Sequence, residues 1–567
     1  MNPAPSSTKP SGAPPLRSER HRAPLLWLLI PFAAGIAAGK MLPVAPPIAA
    51  LLAIALALAL AGALIIFFTR RHAPALAAIV IALFLAGAAN YEIQRARLPA
   101  WDNHPPCEAR LALRINSLTQ QKPAPKSRPT ISGLARVVTS DPRLADLTGQ
   151  PVYFSLDPPR NPEAASQIIR TAEIKTVGIL KALPRNAGAD SFEGHLVAAG
   201  MNFRLDNGRI LAIATPPGAA ASFFERMRVR FADTLGLGLE NRPRETGIYR
   251  AMVLGQKQEV DSEQTSVFLG SGTMHLFAIS GIHIVVIATG IHFLLLLLRL
   301  PRWPHFLIGT AALWAYVQIT GASPSAVRAF TMVAILQTAF MARLPANGIA
   351  AIALAALIML VASPMQLFSA SFQMSYGIVA AILLYGLPLG ETWTARWVLF
   401  RDVPKAAWTR AQHGISIAHR YILGVFAISV SASLVSTICS AMYFKLVTPG
   451  ALFANLILIP AASLVILCGF LSVICGLAGL APASMLFNHA AALLLVAMQK
   501  LLALAIAIPG MSRAAHFEPQ WLGPAALAAL LAAMLHGYSR KWTLRRGGFW
   551  PPVAIVAIVL IALLRYD

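Results

Sequence analysis

The chain has 567 residues, 57% of them hydrophobic and only 12% charged, with a mean hydropathy of +0.63. Soluble domains carry about twice that charged fraction. Ordinary soluble enzymes and binding modules are therefore excluded, and a polytopic helical membrane protein is indicated. The net charge of +24 does not by itself mean nucleic acid, because Lys and Arg gather in the cytoplasmic loops of membrane proteins.

Residues 1–23 mix Pro and Ser with Lys9, Arg17, Arg20 and Arg22 and read as a disordered basic tail. Apolar runs at 25–41, 47–68 and 75–91 make residues 24–91 a unit of three transmembrane helices. The long charged lead and the two runs that follow argue for a retained helix rather than a secretory signal. Gly35 and Gly39 give the first run a small face for close packing. Arg70, Arg71 and His72 share the cytoplasm with the basic tail, which puts the next segment outside.

Residues 92–222 have the composition of a soluble domain. Short β-type runs (Arg110–Leu118, Ile131–Thr139, Val152–Leu156, Ile174–Leu180 and Arg209–Ile213) alternate with Pro, Gly and Asn, as expected of a small all-β, OB-like extracytoplasmic domain. Its aromatics, Trp101, Tyr153, Phe154, Phe192 and Phe203, are sparse. A nucleic-acid role and a plain spacer both stay open. Over 223–270, Phe224, Met227, Phe231 and Leu235 share one helical face and Arg226, Arg228 and Arg230 lie largely away from it, the pattern of interfacial amphipathic helices.

The remainder, 271–567, holds spans near 271–298, 304–321, 324–342, 347–362, 366–389, 419–445, 450–479, 485–508, 520–538 and 550–565. Arg299, Arg302, Arg343, the segment Arg396–Arg420 and Arg540–Arg546 all fall on one side if the β domain is outside. That gives about thirteen spans, N-terminus in the cytoplasm and C-terminus outside.

Polar residues interrupt these spans. On a helix over 271–298, His275, Ser280 and His283 occupy a wedge of about 140° opposite Leu, Ile and Val, with Gly281 beside them. Such a wedge wants protein or water, although a buried imidazole bonded across helices would also account for it. Ser323 and Pro324 start a helix that carries Arg328, which either snorkels upward or offers its fork to a phosphate. Ser371, Gln373 and Tyr376 open another span, as pore lining or as helix–helix glue. Asn455 precedes Pro460 by five residues, where a kink is expected. Lys500, beside Gln499 near the middle of 485–508, should face a partner or a wet cavity.

Several chemistries are absent from the sequence. There is no phosphate-binding loop of the G-x-x-x-x-G-K-S/T kind and no H-E-x-x-H or H-x-H-x-D-H cluster, so neither an ATPase motor nor a hydrolytic metal site is expected, and no cofactor. Cys468 and Cys475, seven apart on one helix, stand about 10 Å apart and cannot bridge. Ser280 and His283 lack a third group to orient a base, which excludes a serine hydrolase.

Met274-His275-Leu276-Phe277-Ala278-Ile279-Ser280-Gly281-Ile282-His283 resembles the H-L-(L/F)-A-I-S-G-(L/I)-H signature of the ComEC competence family. Ser325–Ala329 is similar to that family's P-A-x-R-A element, Ser371–Tyr376 to S-F-Q-L-S-(F/Y), and Ala454–Pro460 to A-N-L-L-x-x-P; the run Tyr249–Gly255 and the end of the β domain near Ser191–Met201 are similar more weakly. The resemblance implies an inner-membrane channel for single-stranded transforming DNA, with the ten polar and glycine positions named above on the DNA pathway. It also implies the partners of such a channel, which are the lipid bilayer, an extracytoplasmic DNA receptor, and a cytoplasmic ATPase or helicase-like motor. Many family members carry a C-terminal metallo-β-lactamase-like domain; this sequence stops at Asp567, so a separate nuclease is expected. A transporter of another anionic or lipid-like solute, or a structural membrane protein, are the alternatives.

Overall fold

The computed structural model describes residues 25–41, 47–69, 72–96, 105–119, 130–159, 161–184, 188, 191–277, 279–344, 347–506, 510, 512–543 and 548–566. The basic tail, Arg70, Arg71, Trp101, Arg545 and Arg546 lie outside them.

Three helices open the chain: α1 (Leu26–Met41), α2 (Ile48–Thr69) and α3 (His72–Ala96). The expected small face on α1 is real. A Cβ on Gly35 would collide with the Phe84 carbonyl, and one on Gly87 with the Phe32 carbonyl, so α1 and α3 cross backbone to backbone.

The β domain follows, with β1 (Cys107–Thr119), β2 (Ile131–Ser140), β3 (Pro151–Asp157), the short α4 (Pro162–Ser166), β4 (Glu173–Ala182), α5 (Phe192–Ala198) and β5 (Phe203–Thr215). All five expected strands are present, and β5 begins six residues earlier than its apolar run suggested. They close into a barrel of order β1-β2-β3-β5-β4, antiparallel except for the parallel pair β3–β5. Alternate residues point inward, and Leu113, Ala135, Phe154, Leu156, Ile174 and Leu205 have no exposed surface.

Next come α6 (Ala219–Gly236), α7 (Pro243–Leu254) and α8 (Ser262–Gly270). The amphipathic pattern expected over 223–270 is present, and its apolar residues meet protein. Phe224, Met227 and Phe231 of α6 pack with Ala232 and Leu235 into a protein core, and Ile248, Tyr249 and Ala251 of α7 are wholly buried in it. Phe223 and Val229 of α6 stay exposed.

The helical body continues through α9 (Gly281–Leu297), α10 (Arg302–Ile319), α11 (Pro324–Met341), α12 (Gly348–Ala362), α13 (Ala370–Ala381) and α14 (Leu387–Arg396), then α15 (Arg410–Phe444), β6 (Leu446–Val447), α16 (Ala451–Leu477), α17 (Ala481–Ile506), β7 (Arg513–Phe517), α18 (Leu522–Ser539), α19 (Trp550–Ile558) and β8 (Leu564–Tyr566). A π-helical turn at Ile382–Gly386 joins α13 to α14 as one long helix, and another at Val559–Leu563 extends α19. Among the described residues, seven helices are long and apolar enough to cross a membrane, α2, α3, α13–α14, α15, α16, α17 and α18; α1, α9, α12 and α19 are apolar but shorter. The chain is thus a mostly helical, multi-pass membrane protein with a five-stranded barrel after its first three helices.

Strands β6, β7 and β8 form one small sheet with β7 in the middle. The sheet ties the C-terminal ends of α15, α17 and α19 to a single side of the body.

Candidate functional site: a buried arginine under the barrel

The span expected over 271–298 is not one helix. Gly272 takes a left-handed conformation (φ 71°) and ends α8; a single 3-10 turn, Met274–Phe277, follows, and α9 starts only at Gly281. Ser280, expected as a member of a polar wedge, is a helix cap here. His275 therefore does not share a helix with His283, and its side chain lies outside the described residues. Ser280 caps α9. Its backbone N–H donates to Nδ1 of His283 at 3.1 Å, and its hydroxyl stands 2.7 Å from the same nitrogen. His283 is 1% exposed, whereas Gly281 is exposed with open space around it.

Arg328 sits one turn inside α11, whose first turn is capped by Ser323 accepting from Ala326 N–H. Its side chain is fully buried. One guanidinium nitrogen, Nη2, donates to the carbonyl oxygen of Ser371 at 2.9 Å and to its hydroxyl at 2.5 Å. Nε and Nη1 are buried with no hydrogen-bond partner among the described residues. Buried guanidinium donors are ordinarily all engaged, since each idle one costs roughly 1–3 kcal/mol.

The same neighbourhood holds more unused polar capacity. Tyr376, one turn and a half along α13 from Ser371, stands within electrostatic reach of the guanidinium, and its buried hydroxyl has no partner among the described residues. Gln373 donates through Nε2 to the Leu367 carbonyl at 2.9 Å, while its buried Oε1 has no partner among them. Ser371 itself is exposed. A fork with two nitrogens that have no partner among the described residues, a phenol and an amide oxygen thus lie behind an accessible serine. Ala326 and Ala329, flanking Arg328, pack on Ile284 and Ile287 of α9, so the first turns of α9 and α11 belong to one layer.

The barrel sits over this layer. Nη1 of Arg170 donates to Oε1 of Gln318 at 2.6 Å, near the end of α10, and α5 contacts the 3-10 turn Pro364–Phe368 that leads into α13. A cavity of 1110 Å³ opens on the barrel side, but Lys181, Arg204 and Arg209 are matched there by Glu108, Asp157 and Asp206. Burial raises the Asp206 carboxyl above the usual carboxylate range, against the pull of Arg204. This surface is not strongly positive.

Two candidates stand elsewhere. Asn455, on α16, has a buried Oδ1 without a partner among the described residues, as do Nε2 of Gln264 on α8 and Nε2 of Gln499 on α17. Neighbouring residues of these three helices share the core built on α7, which makes a second, smaller polar set. Lys500, expected to face a partner or a wet cavity, is exposed on α17, which begins at Ala481, four residues earlier than expected. The sequence missed Asn488, fully buried and bonded to the Thr234 and Leu237 carbonyls and to Ser472; its isolated polar position in an apolar run was the available signal.

Residues 252–543 match the family model described as Competence protein, just over half of the chain. This chain belongs to that family. The match spans every element from the end of α7 to that of α18 and contains the layer around Arg328. A stretch of 142 residues is also 30% identical to the ComE operon protein 3 of Bacillus subtilis (strain 168), covering 25% of this chain and 18% of that relative. No solved structure matches.

Proposed function

We propose that this competence-family chain is an inner-membrane channel that carries single-stranded DNA into the cytoplasm during transformation, acting as a conduit rather than an enzyme. The observation that carries the reading is Arg328: a wholly buried guanidinium with two unused donors, beneath an accessible serine, on the barrel side of the helical body. A strand with one charge per nucleotide cannot cross hydrocarbon without polar contacts. A guanidinium fork suits a passing phosphate better than any other side chain does.

The topology supports the direction of travel. Counting α10 and α11 among the spans gives thirteen crossings in strict alternation. The barrel then lies outside together with the β6-β7-β8 sheet, while Arg299, Arg343, Arg396 and Arg540 lie in the cytoplasm. We read the barrel as OB-like, a reading supported by its five strands and the parallel β3–β5 pair. We assign it a guiding role at the outer mouth, since its mixed charges do not make a tight polyanion groove. Delivery, strand degradation and pulling belong to partners: an external DNA receptor, a nuclease and a cytoplasmic ATPase.

The test is uptake of labelled DNA into the cytoplasm of a strain deleted for this chain and complemented with it. Normal entry in the deletion strain removes the reading; entry that depends on the chain and fails with Arg328→Gln at equal expression supports it.

A further inference from the structure

At the end of the body opposite the barrel, a cavity of 1980 Å³ opens between α1, α14, α18 and α19. It exceeds the roughly 300–1000 Å³ of sites for drug-sized ligands. Its walls change character along the helix axes. Ile30, Leu389, Val430, Leu535 and Val553 line the inner end. Arg396, Arg540 and Lys541 line the mouth, all three exposed. Arg396 is seven residues beyond Leu389 and Arg540 five beyond Leu535, so the basic groups stand about 8–10 Å further out than the apolar ones. Glu391 is the one carboxylate in the lining.

Aromatic side chains line the same cavity. Trp542 stacks on Phe549 with centroids 4.8 Å apart, and Trp393 stacks on Trp397 at 5.8 Å. The Trp542 indole N–H donates to the Leu384 carbonyl at 3.0 Å and the Tyr385 hydroxyl to the Phe549 carbonyl at 3.0 Å, which fixes both rings. Trp27 and Trp550, 62% and 74% exposed, also line the cavity, and exposed indoles settle between headgroups and acyl chains. None of the ten sequence candidates lines this cavity.

We propose that the cavity is a binding site for one anionic phospholipid, with its phosphate on Arg396, Arg540 and Lys541 and an acyl chain in the apolar inner end. A nucleic acid fits worse, because a polyanion needs cations spaced along its path and those among the described lining residues stand at one end. Free phosphate would leave the inner end without a function. The topology above puts the mouth at the cytoplasmic leaflet, where anionic lipids gather. The site itself does not depend on what the chain transports.

The test is native mass spectrometry of the full chain released from nanodiscs of equal phosphatidylglycerol and phosphatidylcholine. One phosphatidylglycerol is expected to stay bound in preference to phosphatidylcholine. The triple variant Arg396→Gln/Arg540→Gln/Lys541→Gln should lose that preference about 10-fold or more, and Arg396→Lys/Arg540→Lys should keep it. Equal retention of the two lipids overturns the proposal, as does a triple variant that behaves like the wild type or a Lys variant that has lost the preference. Displacement of the lipid by a single-stranded oligonucleotide in the wild type would also overturn it and give the cavity to DNA.

Discussion

Arg328 and Ser371 are joined twice, because a single guanidinium nitrogen serves both the carbonyl and the hydroxyl of that serine at 2.9 and 2.5 Å. The clasp aims the fork and leaves the other two nitrogens without a partner among the described residues. Replacing Arg328 by Gln should lower cytoplasmic DNA entry about 10-fold or more, the scale of one charged hydrogen bond, while Arg328→Lys should fall between, keeping charge without the fork. Ser371→Ala keeps the carbonyl and should cost no more than about 3-fold. Quantitative uptake of labelled DNA at matched membrane levels reads all three.

Lys500 gives the contrasting prediction. It is exposed on α17, and a lysine stem can carry its charge to an interface. Lys500→Gln should leave DNA entry within about 2-fold of wild type. A loss as large as that of Arg328→Gln would mean that α17 also borders the path.

The crossing of α1 and α3 leaves no room for a methyl group. Gly87→Ala should destabilise the N-terminal hairpin by about 1–3 kcal/mol, read as a lower thermal midpoint in detergent. Gly414→Ala, at a position with open space, is the control and should leave the midpoint unchanged or raise it, since alanine favours the helix.

Glu173 supplies a pH prediction for the barrel. It accepts from Arg114 and Thr215, and these bonds hold its carboxyl below the usual carboxylate range. A depressed folded-state value means stability that is present at neutral pH and lost as pH falls through that value. Glu173→Gln should therefore weaken hydrogen-exchange protection of β1, β4 and β5 in the full chain near neutral pH, by less than about 1 kcal/mol because Arg114 is exposed. In acid the two proteins should converge.

The sequence revealed the class of protein and all five strands, because composition and strand alternation are local signals. It also picked out Arg328, Ser371, Gln373 and Tyr376, which tertiary packing brings to one place. It misjudged 271–280, where Gly272 and Ser280 sit in an apolar run that reads as helix, and only backbone geometry shows the break. The buried setting of α6 and α7 was hidden for another reason: an amphipathic face looks the same whether lipid or protein covers it. The cavity lined by Trp393 and Trp542 joins helices about 150 residues apart in sequence and has no local pattern at all.

The most direct measurement replaces Ser371 with a photo-crosslinking residue, which keeps the backbone carbonyl that holds Arg328, and irradiates cells during uptake of labelled DNA. The account predicts single-stranded DNA crosslinked at position 371 and none at Leu504, which is 69% exposed on α17. Labelling at 504 equal to that at 371, or no labelling at 371 while DNA still enters, would contradict a path past Arg328.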